Sequence, residues 1–174
     1  MDTSPDDIAV ALAAEQDQVG ALLDRLTDAG WDEPLNPLAL DRLLILGHFP
    51  EYAAELDWTP REIAGHLRDS ARVFTERIGR ILDEDEPTLP DFVTDDPVRL
   101  RDYAATSREE LREELTTAQL ALREAVAGVP AAALGRRGVH EADGPLLLGE
   151  LLAFLPEHQR DHREQLAAFA AAPF

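Results

Sequence analysis

Apolar residues recur along this chain at helical rather than strand spacing. Ile8, Leu12, Val19, Leu22, Leu23 and Leu26 form one stripe, which predicts an amphipathic helix from about Pro5 to Asp28. "SPDD" starts it, with Ser4 as N-cap, Pro5 in the first turn and two acids set against the helix dipole. "AG" ends it, with Gly30 as a left-handed cap. Residues 31–58 are punctuated by proline; "NPLALDRLLIL" predicts a short helix from Pro37 to Leu46, and "PEYAAEL" another turn or two. "TPRE" is the clearest helix start in the chain. Thr59 is its N-cap, Pro60 follows, and Glu62 completes a capping box. The second long helix runs from there to about Leu82. "DEDEPTLPDFVTDDP" is acidic, rich in proline and non-helical over most of its length. A third long helix spans about Val98 to Ala127, and "SREE" at 107–110 offers a capping box that would break it near Thr106. "GVPAAALGRRGVHEADGP" reads as a loop with one turn of helix. The fourth long helix begins near Pro145 and runs to about Ala170, and Pro156 inside it predicts a kink or a break.

No strand-like alternation and no internal repeat is seen. Four long amphipathic helices predict an all-α fold, a four-helix bundle, with residues 1–174 as a single domain. The connections, roughly 15–30 residues, exceed the 2–8 of minimal bundles and leave room for loops that roof one end.

Composition narrows the chemistry. The chain has no cysteine, which excludes disulfides, thiolate metal sites and cysteine nucleophiles. All 16 basic residues are arginine, which excludes lysine Schiff bases. A net charge of −19 argues against nucleic acid and anionic membrane as partners. No apolar run approaches the ~20 residues of a membrane span, and the acidic start has no signal-peptide pattern. A cytoplasmic location is the resulting expectation.

Any metal must therefore be held by histidine and carboxylate. The five histidines are His48, His66, His140, His158 and His162. In the fourth long helix Leu151, Leu155, His158, His162, Leu166 and Phe169 fall near one face. Histidines four apart have Cβ atoms ~6 Å apart, so both imidazoles can reach one metal; the bland alternative is a half-exposed pair at the bundle rim. Neutral imidazoles facing a core need polar partners, which favours the first reading. "GHLRDS" places His66 between Ile63 and Ser70, on the apolar face of the second long helix. Alone it reads as a core histidine with satisfied hydrogen bonds; with the other two it completes a set. Three nitrogens and one open position are the pattern of catalytic zinc. Two other motifs fail. "HQRDH" resembles the inverted zinc-protease motif, but only twelve residues follow His162. Di-iron bundles need an acid three residues before each histidine, and Ile63, Leu155 and Gln159 stand there instead.

Residues 57–169 resemble the DinB/YfiT-like superfamily of small helical bundles. "DWTPREIAGHLRDSARVFTERIGRIL" resembles that family's second helix, "DEPTLPDF" the proline-rich segment after it, and "GPLLLGELLAFLPEHQRDHREQL" its last helix. The resemblance implies a bundle of unusual connection order, a homodimer, and a divalent metal, zinc or nickel, held by His66, His158 and His162. It implies a small-molecule substrate and an activity such as thiol-dependent transfer or isomerisation, using a low-molecular-weight thiol, or metal-dependent hydrolysis. Residues 31–57 depart from the pattern, so specificity does not carry over.

Other residues remain open. Arg77, eleven residues after His66, returns to nearly the same face; it binds an anionic substrate or pairs with a carboxylate of another helix. Asp69 and Asp161 orient ligand histidines or lie on the surface. His140, in the loop before the last helix, reaches the metal end or is an ordinary loop histidine, the reading that is favoured for it and for His48. Three functions follow: a metal-dependent transferase or hydrolase, a non-enzymatic bundle with a structural metal, or a small-molecule binding module with residues 31–57 as its lid. No general base can be named.

Overall fold

The computed structural model describes residues 4–47 and 53–171. The bundle is built from α1 (Pro5–Arg25), α3 (Pro60–Asp83), α5 (Arg108–Ala127) and α6 (Leu148–Ala171). Two shorter helices, α2 (Pro37–Ile45) and α4 (Pro97–Ala105), lie in the long connections. α3 packs chiefly on α5, and α1 on α6 and α5. Among the described residues no helix is long and apolar enough to cross a membrane.

The helix starts follow the capping chemistry. Ser4 accepts from the Asp7 N–H, and Thr59 from the Glu62 N–H, each with the reciprocal acid bond of a capping box. Ser107 accepts from the Glu110 N–H at the start of α5, and Thr106 before it is extended, so the third long helix is two helices. α6 runs unbroken through Pro156.

Three expectations are corrected. α1 ends at Arg25 on an extended Leu26, and Gly30 lies in a 3₁₀ turn (Ala29–Trp31) without a left-handed φ. The chain is not free of strands. β1 (Thr88–Leu89) pairs in parallel with β2 (Arg137–His140), which pairs antiparallel with β3 (Gly144–Leu147). Gly138 is required here, because a Cβ would meet the Leu89 side chain at 2.7 Å. Gly144, at φ +81°, makes the hairpin return that few other residues tolerate. Pro145 belongs to β3, so α6 starts at Leu148. Its first free N–H groups are met by backbone, Leu148 N–H donating to Arg136 O and Gly149 N–H to Leu134 O. The expected loop histidine His48 lies outside the described residues.

The core has two apolar clusters. One gathers Leu23, Trp31, Trp58, Ile63, Leu111 and Leu166; the other gathers Leu12, Phe74, Ile78, Leu122, Leu151 and Leu155. Near the junction of the two clusters each bundle helix carries buried polar residues: Gln16 on α1, His66 and Ser70 on α3, Gln119 on α5, Gln159 and His162 on α6. A polar layer inside a bundle costs stability unless its groups are satisfied, and the candidate site occupies this layer.

Candidate metal centre

His66 comes from α3 and His158 and His162 from α6. One nitrogen of each lies within 4.8 Å of the other two. The ring centroids form a near-equilateral triangle with sides of 5.2, 4.8 and 4.8 Å. His66 Nε2 and His158 Nε2 are 3.0 Å apart. Two nitrogens bound at ~2.0–2.1 Å to one tetrahedral metal lie roughly 3.3–3.4 Å apart, so this pair is close to the spacing a shared metal needs.

Burial first, and then the neighbouring imidazoles, push His66 and His158 well below the usual histidine range. Burial holds His162 down to about 4, with Gln165 opposing. The rings are therefore neutral at pH 7, and neutral imidazole is the form that binds metal. The tautomer of His162 is set by its neighbour. Gln165 Nε2 donates to the Glu55 carbonyl at 2.6 Å, so its amide oxygen faces His162 and accepts from Nδ1–H at 3.0 Å. That turns the Nε2 lone pair toward the other histidines. His66 is held mainly by packing, between Trp58 at 4.9 Å and Phe92 at 5.8 Å, and its Nδ1 is buried without a hydrogen-bond partner among the described residues. Trp58 also stacks on His162, at 6.3 Å and 6°. The donor set, the neutral rings and the spacing fit a divalent metal.

The histidines stand at a cleft of about 660 Å³. His66 and His158 line it, while His162 is fully buried behind them. Phe74, Phe92, Leu151 and Phe154 give it apolar walls. Glu55 also lines it, from the 3₁₀ turn Ala53–Asp57, and is buried with its Oε2 at 3.6 Å from His162 Nε2. Burial raises its carboxyl to about 7, with a hydrogen bond from Thr94 opposing and Asp95 adding to the rise. This residue had no sequence signal beyond its place in a proline-bounded turn, and only the folded chain brings it to the histidines.

Arg77 lies on the same cleft, and among the described residues no carboxylate of another helix comes within ion-pair distance of it. Its Nη2 donates to Pro90 O at 2.7 Å and to His140 Nε2 at 2.9 Å. His140 is thus not an ordinary loop histidine: β2 carries it into the cleft wall, buried against Arg77. Asp69 does not orient a histidine. It accepts from Arg68, Arg99 and Tyr103 on the other side of α3. Asp161 lines the cleft, half-exposed.

A family model, the DinB superfamily, matches residues 48–166. Among solved structures the fold is similar to that of YfiT from Bacillus subtilis, a probable metal-dependent hydrolase with an unusual four-helix bundle topology. The TM-score is 0.75 at 16% sequence identity, over 95% of this chain and 85% of that one. None of the curated proteins matches. The family model spans well over half of the sequence, through both histidine-bearing helices, and the chain belongs to the DinB superfamily.

Proposed function

We infer that the protein is a metal-dependent hydrolase or transferase in which His66, His158 and His162 hold a divalent metal, zinc or nickel. The observation that carries this reading is the convergence of three neutral imidazoles from two helices at the wall of a cleft large enough for a small molecule. The structural likeness to YfiT, a probable metal-dependent hydrolase, agrees with it. A metal bound by three histidines acts as a Lewis acid, lowering the pKa of a water or of a low-molecular-weight thiol at its open position.

The chain's own groups complete the arrangement. Gln165 and Trp58 hold His162 with its Nε2 turned inward. Glu55 Oε2 is the acceptor placed to take the proton released by the nucleophile. The apolar walls hold the substrate body and keep bulk water out. A homodimer, the assembly the family resemblance implies, is checked by light scattering.

Elemental analysis of the purified chain tests the reading. One equivalent of zinc or nickel is expected, before or after reconstitution; a wild-type chain that takes up neither overturns it. Ester hydrolysis that stops on chelation supports the hydrolase form. Turnover that requires an added thiol supports the transferase form.

A further inference from the structure

Two arginines are buried on α3, and they are treated differently. Arg68, 4% exposed, is met by Asp69 at 2.9 Å and by Asp102 and Glu114 at 2.6 Å each. Arg77, 8% exposed, has no carboxylate within ion-pair distance among the described residues. Its Nη2 is spent on one carbonyl and one imidazole, and its Nε is buried with no partner. Guanidinium has no acceptor, so His140 Nε2 accepts, while Nδ1 on the far side of the ring accepts from the Ala142 and Asp143 N–H groups at 3.3 and 3.2 Å. His140 therefore aligns Arg77 without neutralising it. Asp91 and Asp143 favour its charge at longer range without closing an ion pair, and the guanidinium faces the cleft that reaches His66.

We propose that Arg77 is a substrate-binding residue that takes the carboxylate of a small monocarboxylate whose reacting end lies at the three histidines. Three observations set the ligand class. Nη1, which unlike Nε is not buried, makes no hydrogen bond to protein among the described residues, so an oxygen anion supplies what the fold leaves out. Phe74 bridges the two ends, with Arg77 over its ring at 5.9 Å and His158 against it at 5.8 Å, and Leu151 and Phe154 also line the cleft, which suits a hydrocarbon body. One guanidinium balances one charge, and Asp91, Asp143 and Glu150 already place acidic groups on the same lining. A phosphomonoester dianion would bury an unmatched second charge beside them. The length also follows. Eleven residues separate His66 from Arg77, a rise of roughly 16 Å, and the arginine leans back toward the helix N-terminus, so the ligand spans less than that.

The inference shares its cleft with the metal reading, but it is tested by binding alone. The full chain, metal-loaded and chelator-treated, is titrated with 4-phenylbutyrate, 4-phenylbutyramide and phenethyl phosphate and followed by calorimetry. The carboxylate is expected to bind at least ~10-fold more tightly than the amide, as a charge-assisted hydrogen bond predicts, and more tightly than the phosphate. Arg77→Gln removes that preference and Arg77→Lys keeps part of it. The proposal is overturned if wild type binds acid and amide equally, binds none of the three at millimolar concentration, favours the phosphate, or if the preference survives Arg77→Gln. Should Arg77→Gln fail to fold, the three-ligand comparison in wild type and the Lys variant decide. A chain that binds no metal yet keeps the preference sinks only the metal reading.

Discussion

Two polar clusters lie inside this bundle, on opposite sides of α3. In one, every charge is answered: Arg68 meets three carboxylates, and Asp69 in turn accepts from Arg99 and Tyr103 at 2.9 Å each. Tyr103 closes down on Gly65, where a Cβ would run into its ring. In the other, three imidazole nitrogens converge, a guanidinium has no carboxylate within ion-pair distance among the described residues, and the groups open on a cleft. The first arrangement fixes α4 against α3. The second leaves stability unrealised where a ligand would supply it. Changes in the first cluster should therefore move stability and spare binding, and changes in the second should do the reverse.

The sharpest test of that contrast is His158→Ala. His158 is the least buried of the three histidines, so its loss should barely disturb packing. Metal affinity should fall by well over the ~10–100-fold typical of losing an outer partner, and metal-dependent turnover should vanish. Elemental analysis and chelator competition read the first, and an unchanged melting curve in chelator reads the second half of the contrast. Glu55→Gln comes next. It keeps the shape and removes the acceptor, so turnover should drop ~10²–10⁴-fold while metal content stays at wild-type level. Equal turnover would remove Glu55 from the chemistry.

Asp69→Ala attacks the other cluster. It strands Arg99 and Tyr103 and leaves Arg68 with two of its three partners. Breaking a buried pair on one side costs about 3–5 kcal/mol, and the lower end applies here because Arg68 keeps two carboxylates. Urea unfolding in chelator should show that loss, with metal stoichiometry unchanged. If metal were lost together with stability, the two clusters would be one coupled network and the contrast would fail.

Much of this was legible from residues alone, for reasons that differ by element. Capping boxes and the 3.6-residue period are local, so the start of α1, the whole of α3 and the split between α4 and α5 could be read within a residue or two, while α1 stops three residues short of the predicted Asp28. The three histidines could be read because each sits on an apolar stripe, where an imidazole needs an explanation. The sheet could not. Its strands have two to four residues, too few for alternation to show, and β1 joins β2 across about fifty residues of chain. His140 followed the sheet into the wall. Glu55 reaches the site through tertiary closure of a 3₁₀ turn. Asp69 misled because three residues from His66 is close enough on a helix to suggest a partner, while the side chain turns to the arginines instead.

The smallest effect expected, and the most discriminating about how the site is held, concerns Gln165. It is fully buried, and it joins the last helix to the segment that carries Glu55: its nitrogen donates to the Glu55 carbonyl and its oxygen accepts from His162 Nδ1. Packing alone would tolerate a leucine there. A positioning role would not, because without the acceptor the His162 ring can flip or change tautomer and withdraw its Nε2 lone pair. Gln165→Leu should thus weaken metal binding ~10–100-fold at modest cost in melting temperature. Gln165→Glu, which restores an acceptor for Nδ1–H but not the donor to Glu55 O, should recover most of the affinity. Recovery in the glutamate variant ties the effect to the His162 proton. Equal affinity in wild type and both variants would reduce Gln165 to filler, and would mean that the open cluster orients its ligands by packing alone.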